Sequence, residues 1–219
     1  MPFIDIHTHN RTWQNGVTKV INVFPWENLT SDEKSSTFFT AGIHPWYINN
    51  VDVKAGLHRI ELWLKSGVIN GVGEAGLDSL KGPEQTVQKT VFEEHIRLSE
   101  KYFCPLTLHC VRKYNDILLI RKKLNAKQPW IMHGFNSSMQ MMELMVDAGI
   151  HISLGADLLK SNKKIVEVCR NVPSESLFFE TDDSGITIEE LYRTAANIRG
   201  ITIEEIEEVV NNNFMKIYK

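Results

Sequence analysis

The chain has 219 residues, of which 42% are hydrophobic and 23% charged, and its formal net charge is −3. This length and composition exclude a disordered or fibrous chain and predict a single globular domain over residues 1–219. The mild acidity argues against a surface that coats nucleic acid with positive charge. A polyanionic substrate would therefore have to be held by local features such as metal ions or a few cationic side chains.

The cellular compartment is predicted from the cysteines and the amino terminus. Cys104, Cys110 and Cys169 contain no C-x-x-C pair, which favours reduced thiols over a disulfide framework or a structural zinc site. Asp5 and His7 follow the start too closely for a signal peptide. No apolar stretch approaches the roughly 18 residues of a membrane span. We therefore predict a cytoplasmic protein without membrane contact, and the sequence does not determine its oligomeric state.

Short apolar, β-branched or aromatic runs alternate with segments of helical periodicity along most of the chain. The eight runs cover residues 3–7, 18–24, 37–43, 68–74, 105–109, 129–133, 150–154 and 176–181. This alternation predicts a parallel sheet, and eight units favour a (β/α)8 TIM barrel over an open doubly wound sheet. The chain is short for this fold, and residues 25–36 leave room only for a loop or a stunted helix. The predicted barrel is therefore trimmed after strand 2.

The helical segments carry both periodicity and start signals. Residues 83–102 place one apolar stripe on a helix, and His95 in that stripe lacks the context of a ligand, so we interpret it as structural. Capping boxes that begin at Thr187 and Thr202 predict the starts of two helices near the end of the chain.

Most of the predicted strands end in residue types that bind metal ions. The first run ends in His7-Thr8-His9, and the period of two in a strand puts both histidines on one face. The later strand-end residues are His44, Glu74, His109, His133 and Asp182. Because the carboxyl ends of barrel strands meet on one face, we expect these side chains to share one cavity. So many buried imidazoles and carboxylates are costly without partners, which disfavours a packing role for the whole set.

Such a set has room for two divalent ions. Three or four ligands per ion, with one shared carboxylate, would hold the ions about 3.5–4 Å apart. The pair would activate a water and neutralise charge on a scissile phosphate or carbonyl, and a carboxylate that touches this water could take its proton. Asp182 is our candidate for this base. The ligand types suit Zn²⁺, Mg²⁺ or Mn²⁺ and do not identify the metal.

The order and spacing of these motifs resemble the TatD family of metal-dependent hydrolases, which belongs to the amidohydrolase-like superfamily. The motifs that carry the resemblance are residues 3–9, 42–45, 71–78, 108–110, 132–135 and 180–182, and residues 211–214 are similar to the family's C-terminal helix. The resemblance implies a metal-dependent nuclease that acts on DNA ends or single strands, of the 3'-5' exodeoxyribonuclease type.

The resemblance also implies a role for each strand-end residue. It implies a first ion held by His7, His9 and Asp182, and a second held by His109 and His133, with Glu74 bridging the two. Asp182 and Glu74 would then be the catalytic carboxylates, and His44 would contact the substrate phosphate. Arg112 follows the fifth-strand histidine by three positions instead of the family's usual two. It could bind phosphate, with a solvated helix start as the alternative.

Other readings remain open at this stage. A hydrolase of the same superfamily could act on an amide, an ester or a small phosphate ester, and a non-catalytic metal-binding protein is the third alternative. The family pattern is broken at Asn10-Arg11 and at residues 183–185, on loops that face the substrate, which leaves substrate choice open. Asp78 is expected to stabilise its loop. Trp13, Trp26 and Trp46 lie near strand-end loops and could stack on bases, with ordinary loop packing as the alternative.

Overall fold

The computed structural model describes residues 1–29, 37–160 and 162–218. Its strands are β1 (Phe3–Thr8), β2 (Val17–Val23), β3 (Thr37–Ala41), β4 (Gly71–Asp78), β5 (Leu106–Val111), β6 (Trp130–Met132), β7 (Ile150–Leu154) and β8 (Leu177–Phe179). Its α-helices are α1 (Val53–Ser66), α2 (Gln85–Tyr102), α3 (Tyr114–Leu124), α4 (Met139–Asp147), α5 (Lys163–Asn171), α6 (Ile188–Arg199) and α7 (Ile203–Ile217). Both predicted capping boxes are confirmed, since Thr187 caps α6 and Thr202 caps α7.

The strands form one sheet in the order β1 to β8. The registered pairs β1–β2, β3–β4, β4–β5 and β7–β8 are all parallel. Beyond the end of β8, Asp182 forms a parallel bridge to Thr8 at the end of β1, so the last strand returns beside the first. This is the strand order of a (β/α)8 barrel, and the predicted fold class is confirmed.

The connection between β2 and β3 agrees with the predicted trimming. Residues 24–29 form a turn and no helix, and the rest of the predicted loop, residues 30–36, lies outside the described residues.

In the described ranges of the chain, no helix combines the length and apolar character needed to cross a bilayer.

The described residues fall into two compact units, one of residues 1–21, 37, 132–160 and 162–218 and the other of residues 22–29 and 38–131. In the first unit, the Tyr192 hydroxyl of α6 donates to the Ile4 carbonyl at 3.1 Å and accepts from the Ile4 amide at 3.0 Å. This pair of hydrogen bonds fastens α6 to β1. The single domain predicted over residues 1–219 stays a prediction.

In the second unit, His95 has the structural role that the sequence predicts. The imidazole is fully buried on α2, where Nε2 accepts from the Ile43 amide at 2.9 Å and Nδ1 lies 2.8 Å from the Val91 carbonyl. Burial lowers the pKa of His95 to about 4, against the opposing effect of the Val91 hydrogen bond. The ring therefore stays neutral and ties α2 to the segment that follows β3.

The depressed pKa of His95 predicts a loss of stability in mild acid. The unfolded chain binds a proton near the ordinary histidine pKa of about 6.5, whereas the folded chain does not until about pH 4. We expect this group alone to lower the free energy of unfolding by about 2 kcal/mol between pH 6.5 and pH 5. Urea unfolding at both pH values should show a smaller decrease for His95→Gln than for the wild type. The exposed His58 supplies the control, and equal decreases for His95→Gln and His58→Gln would contradict this assignment.

Candidate metal centre

In the first unit, the predicted ligands at the ends of β1, β6 and β8 lie together. The Nε2 atoms of His7 and His9 lie 3.5 and 3.6 Å from Oδ1 of Asp182. The rings of His7 and His133 have centroids 4.5 Å apart. One ligand atom each from His7, His133 and Asp182 falls within 4.8 Å of the others. We call these four residues the β1 group.

The backbone of Asp182 is held firmly against β1. Its amide donates to the His7 carbonyl at 3.0 Å, and its carbonyl accepts from the His9 amide at 3.2 Å and from Thr8 Oγ1 at 3.0 Å. The side chain stays 38% exposed, while that of His7 is fully buried. Asp182 thus presents a fixed but accessible carboxylate.

Asp5 fixes the residue that precedes Asp182. Its carboxylate accepts from the Thr181 amide at 2.9 Å and from the Thr181 hydroxyl at 2.6 Å, directly before Asp182. Burial raises the pKa of Asp5 to about 6, and the two hydrogen bonds from Thr181 act in the opposite direction. Asp5 therefore positions the segment that carries Asp182.

Glu180 is a partner of the β1 group to which the sequence analysis assigned no role. Its Oε1 accepts from the Gly134 amide at 2.6 Å and lies 3.2 Å from Nδ1 of His133, and its side chain is buried. A carboxylate on one ring nitrogen of a histidine orients the other nitrogen towards a metal ion. Glu180 lies directly after the end of β8, and its contact with His133 joins two segments that are distant in the sequence.

In the second unit, the predicted residues His44 and His109 both contact one carboxylate oxygen of Glu74. Oε1 of Glu74 lies 2.7 Å from Nδ1 of His109 and 3.2 Å from Nε2 of His44, and all three residues are buried. Their ligand atoms fall within 4.8 Å of one another. The Glu74 backbone is fixed by its amide, which donates to Oδ1 of Asn22 at 2.5 Å. We call these three residues the β4 group.

In His44, the ring nitrogen that faces away from Glu74 is hydrogen-bonded to the backbone. Nδ1 of His44 accepts from the Trp46 amide at 3.1 Å, at the start of a 3-10 helix that spans Pro45–Asn50. A neutral imidazole that accepts on Nδ1 carries its proton on Nε2. This protonation suits a hydrogen-bond donor to a phosphate, the role that the family resemblance implies for His44.

Asp78 does more than stabilise its loop. Oδ1 accepts from the Leu80 and Lys81 amides, as predicted, but Oδ2 accepts from Trp46 Nε1 at 2.6 Å and lies 3.2 Å from His109 Nε2. Burial opposes ionisation of Asp78, yet these hydrogen bonds lower its pKa. An ionised Asp78 therefore orients His109.

Strand β4 is longer than the predicted run, and this places Glu74 inside the strand and not at its end. The strand runs from Gly71 to Asp78, with a register irregularity between Val72 and Ala75 opposite β5. Gly73, at φ +117°, permits this path, because a Cβ there would lie 2.4 Å from the Thr107 carbonyl oxygen. The extension gives Glu74 and Asp78 the same parity, so both carboxylates reach His109.

The β1 group fits a divalent cation, and so do Glu74 and His109 of the β4 group. A neutral His44 that carries its proton on Nε2 offers a hydrogen-bond donor beside them and not a lone pair for the ion. Ligands bound at about 2.0–2.2 Å in a tetrahedral site lie roughly 3.4 Å apart, close to the separations within each group. Imidazole and carboxylate ligands suit zinc, manganese and similar ions. A cation would also neutralise the buried carboxylate of Glu74. The single cavity predicted for both groups stays a prediction.

Two predicted assignments are not tested by these contacts. Arg112 is exposed directly after β5, at φ 56°, and its contact with substrate stays a prediction. The resemblance assigns His133 to the ion of His109, whereas the structure groups His133 with His7 and Asp182. The choice of ion for His133 likewise stays a prediction.

The sequence matches a family model described as TatD related DNase over residues 6–219. An uncharacterized metal-dependent hydrolase of Buchnera aphidicola subsp. Baizongia pistaciae is 29% identical over 150 residues, which cover 67% of this chain and 56% of the relative. A putative deoxyribonuclease TATDN1 homolog of Vairimorpha ceranae is 29% identical over 184 residues, covering 80% of this chain and 65% of the relative. The chain thus spans less than two thirds of the length of these two relatives.

Solved structures show the same fold. The crystal structure of YjjV, a TatD homolog from Escherichia coli K12, superimposes with a TM-score of 0.85 at 22% identity, covering 99% of this chain and 97% of that one. A TatD family hydrolase from Entamoeba histolytica gives 0.79 at 18% identity, covering 99% and 98%. Because the family model matches residues 6–219, nearly the whole chain, the chain belongs to the TatD-related DNase family.

Proposed function

We propose that this protein is a metal-dependent deoxyribonuclease of the 3'-5' exonuclease type, with two divalent ions per chain and Asp182 as the catalytic base. The observation that carries the proposal is the pair of histidine–carboxylate clusters, the β1 group and the β4 group, in a chain of the TatD-related DNase family. The bridging role of Glu74 is part of the proposal and rests on the family resemblance.

The chain's own residues would act as follows. Bound ions would supply Lewis-acid polarisation of the phosphate and lower the pKa of a water. Asp182 is suited to take the proton of that water, because its carboxylate is partly exposed and lines a cavity of about 180 Å³ in the first unit. His44 would donate from Nε2 to a phosphate oxygen. Glu180 would keep His133 oriented, and Asp78 would do the same for His109.

The relatives and the net charge both support DNA as the proposed substrate. One relative is named as a putative deoxyribonuclease. The net charge of −3 makes extensive wrapping of a duplex unfavourable, because binding along the backbone depends on neutralising many phosphates. A small contact at a DNA end or on a single strand requires few such contacts, and this supports the exonuclease assignment.

The test is a digestion panel with purified, chelator-treated protein resupplied with Mg²⁺, Mn²⁺ or Zn²⁺. The substrates are 3'-labelled and 5'-labelled single- and double-stranded DNA, RNA, a chromogenic phosphodiester, an amide and a phosphate monoester. We expect stepwise shortening of DNA from the 3' end that requires metal and is absent from Asp182→Asn protein prepared in parallel. Turnover of the amide or monoester alone would favour another hydrolase of the superfamily. Metal binding without any turnover would favour a non-catalytic protein.

A further inference from the structure

An aromatic pocket that includes Trp26 occupies the second unit beside the β4 group. We define it by the rings of Phe24, Trp26 and Tyr47, which line a cavity of about 720 Å³. Phe24 and Trp26 stack with centroids 4.9 Å apart and planes within 1°. Tyr47 packs edge-on against both, at 5.2 and 5.7 Å. This volume lies within the range of small-molecule pockets, about 300–1,000 Å³.

The pocket presents its aromatic surface outwards. Trp26 is 44% exposed and Tyr47 is 36% exposed, which is unusual for side chains that contribute so much to hydrophobic stabilisation when buried. Exposed rings gathered around one concave surface mark a binding site more often than scattered exposed residues do.

The turn that carries Trp26 is already held in place. The Phe24 amide donates to Oε2 of Glu27 at 2.8 Å, and the Glu27 amide donates back to the Phe24 carbonyl at 3.0 Å. Arg59 of α1 donates to the Glu27 carbonyl at 3.2 Å. Because the turn is preorganised, little conformational entropy is lost when a ligand stacks on Trp26.

The pocket adjoins the β4 group through Tyr47. Tyr47 is the third residue after His44, its amide donates to the His44 carbonyl at 3.0 Å, and the two rings have centroids 5.8 Å apart. A substrate phosphate that accepts from His44 would therefore have its neighbouring nucleotide at the edge of the pocket. The charges in the wall are balanced, with Arg59 against Asp52, so the pocket favours a neutral flat group over a phosphate.

We propose that the aromatic pocket is a stacking subsite for the nucleobase next to the scissile phosphate. The proposal rests on the nuclease activity proposed above. Every nucleobase has a flat π-face, so stacking on Trp26 would accept all four bases and give the enzyme a grip on single-stranded ends without sequence preference.

The test measures binding without turnover. Short single-stranded DNA with the fluorescent base 2-aminopurine at one position at a time is titrated, with Mn²⁺, into the full chain carrying Asp182→Asn. We expect quenching at one position near the 3' end, and loss of that quenching when Trp26→Ala is added. The dissociation constant should rise about 5- to 100-fold, with Trp26→Phe intermediate. The control is Phe103→Ala, since Phe103 is 81% exposed and precedes β5, away from its carboxyl end.

An abasic residue at the quenched position sharpens the test. It should weaken binding to protein with Trp26 by the same factor and have no further effect in Trp26→Ala, because both changes remove one interaction. Equal binding of DNA by the Trp26→Ala and Phe103→Ala proteins would overturn the subsite. It would also be overturned if light scattering showed a dimer that Trp26→Ala converts to a monomer, because the pocket would then be a contact between two copies of the chain. DNA cleavage without a Trp26 effect refutes only the subsite. Quenching that depends on Trp26, without cleavage by the wild type, refutes only the nuclease.

Discussion

Replacing Asp182 by asparagine is expected to reduce phosphodiester turnover by at least about 10³-fold, because the change would remove both the proposed proton acceptor and a proposed metal ligand. The fold should survive, since Asp182 is fastened to β1 by its backbone amide and carbonyl and not by its carboxylate. Initial rates on the DNA substrate of the digestion panel provide the measurement. Circular dichroism and the thermal midpoint provide the check on folding.

The matched control for this change is Asp147→Asn. Asp147 is exposed at the end of α4 in the same unit, and it lies outside both ligand groups. It should retain wild-type turnover within about twofold, in line with the small effect of most surface substitutions. A rate for Asp182→Asn close to that of Asp147→Asn would show that another group accepts the proton.

Replacing Glu74 by glutamine is expected to lower the metal content of the protein. Oε1 of Glu74 lies within 3.2 Å of nitrogens of both His44 and His109, so the β4 group loses its only carboxylate ligand among the candidate set. Loss of an outer-shell partner costs about 10–100-fold in metal affinity, and loss of a direct ligand should cost at least as much. Elemental analysis after dialysis against limiting metal gives the ions bound per chain.

Thermal unfolding supplies an independent readout of the same change. Metal at one hundred times its dissociation constant stabilises a folded protein by about 2.7 kcal/mol. The metal-dependent rise in thermal midpoint should therefore shrink in Glu74→Gln but persist in Glu208→Gln, where an exposed carboxylate on α7 is changed in the same way. Unchanged stoichiometry and an unchanged rise would rule out Glu74 as a ligand.

The ligand types were predictable because each lies at a strand or turn position that periodicity locates. The partners of those ligands were not. The predicted fourth run ends at Glu74, and this leaves Asp78 in the loop that follows. The strand in fact continues over Ala75-Gly76-Leu77, small or apolar residues that are buried in the sheet. Only the strand pairing with β5 shows that Asp78 faces His109.

In the aromatic pocket, too, the sequence places one residue, and only the folded chain shows its contacts. Trp26 could be placed near a strand-end loop from the sequence, but neither its stacking on Phe24 nor the edge of Tyr47 could be read from spacing. Phe24 and Tyr47 are separated by 22 intervening residues, a stretch that includes residues outside the described part of the chain. Contacts at that separation depend on how a turn after β2 packs on the 3-10 helix after β3.

Local chemistry along the chain was enough to identify the strand and helix order, the barrel, the family and the residue types that bind metal. These features depend on periodicity and on short motifs, in which neighbouring residues carry the information. Which nitrogen of His133 or His44 faces a partner, which carboxylates orient the histidines and where aromatic rings gather became visible only in the folded chain. Those properties arise from contacts between segments distant in sequence, and packing, not spacing, determines such contacts.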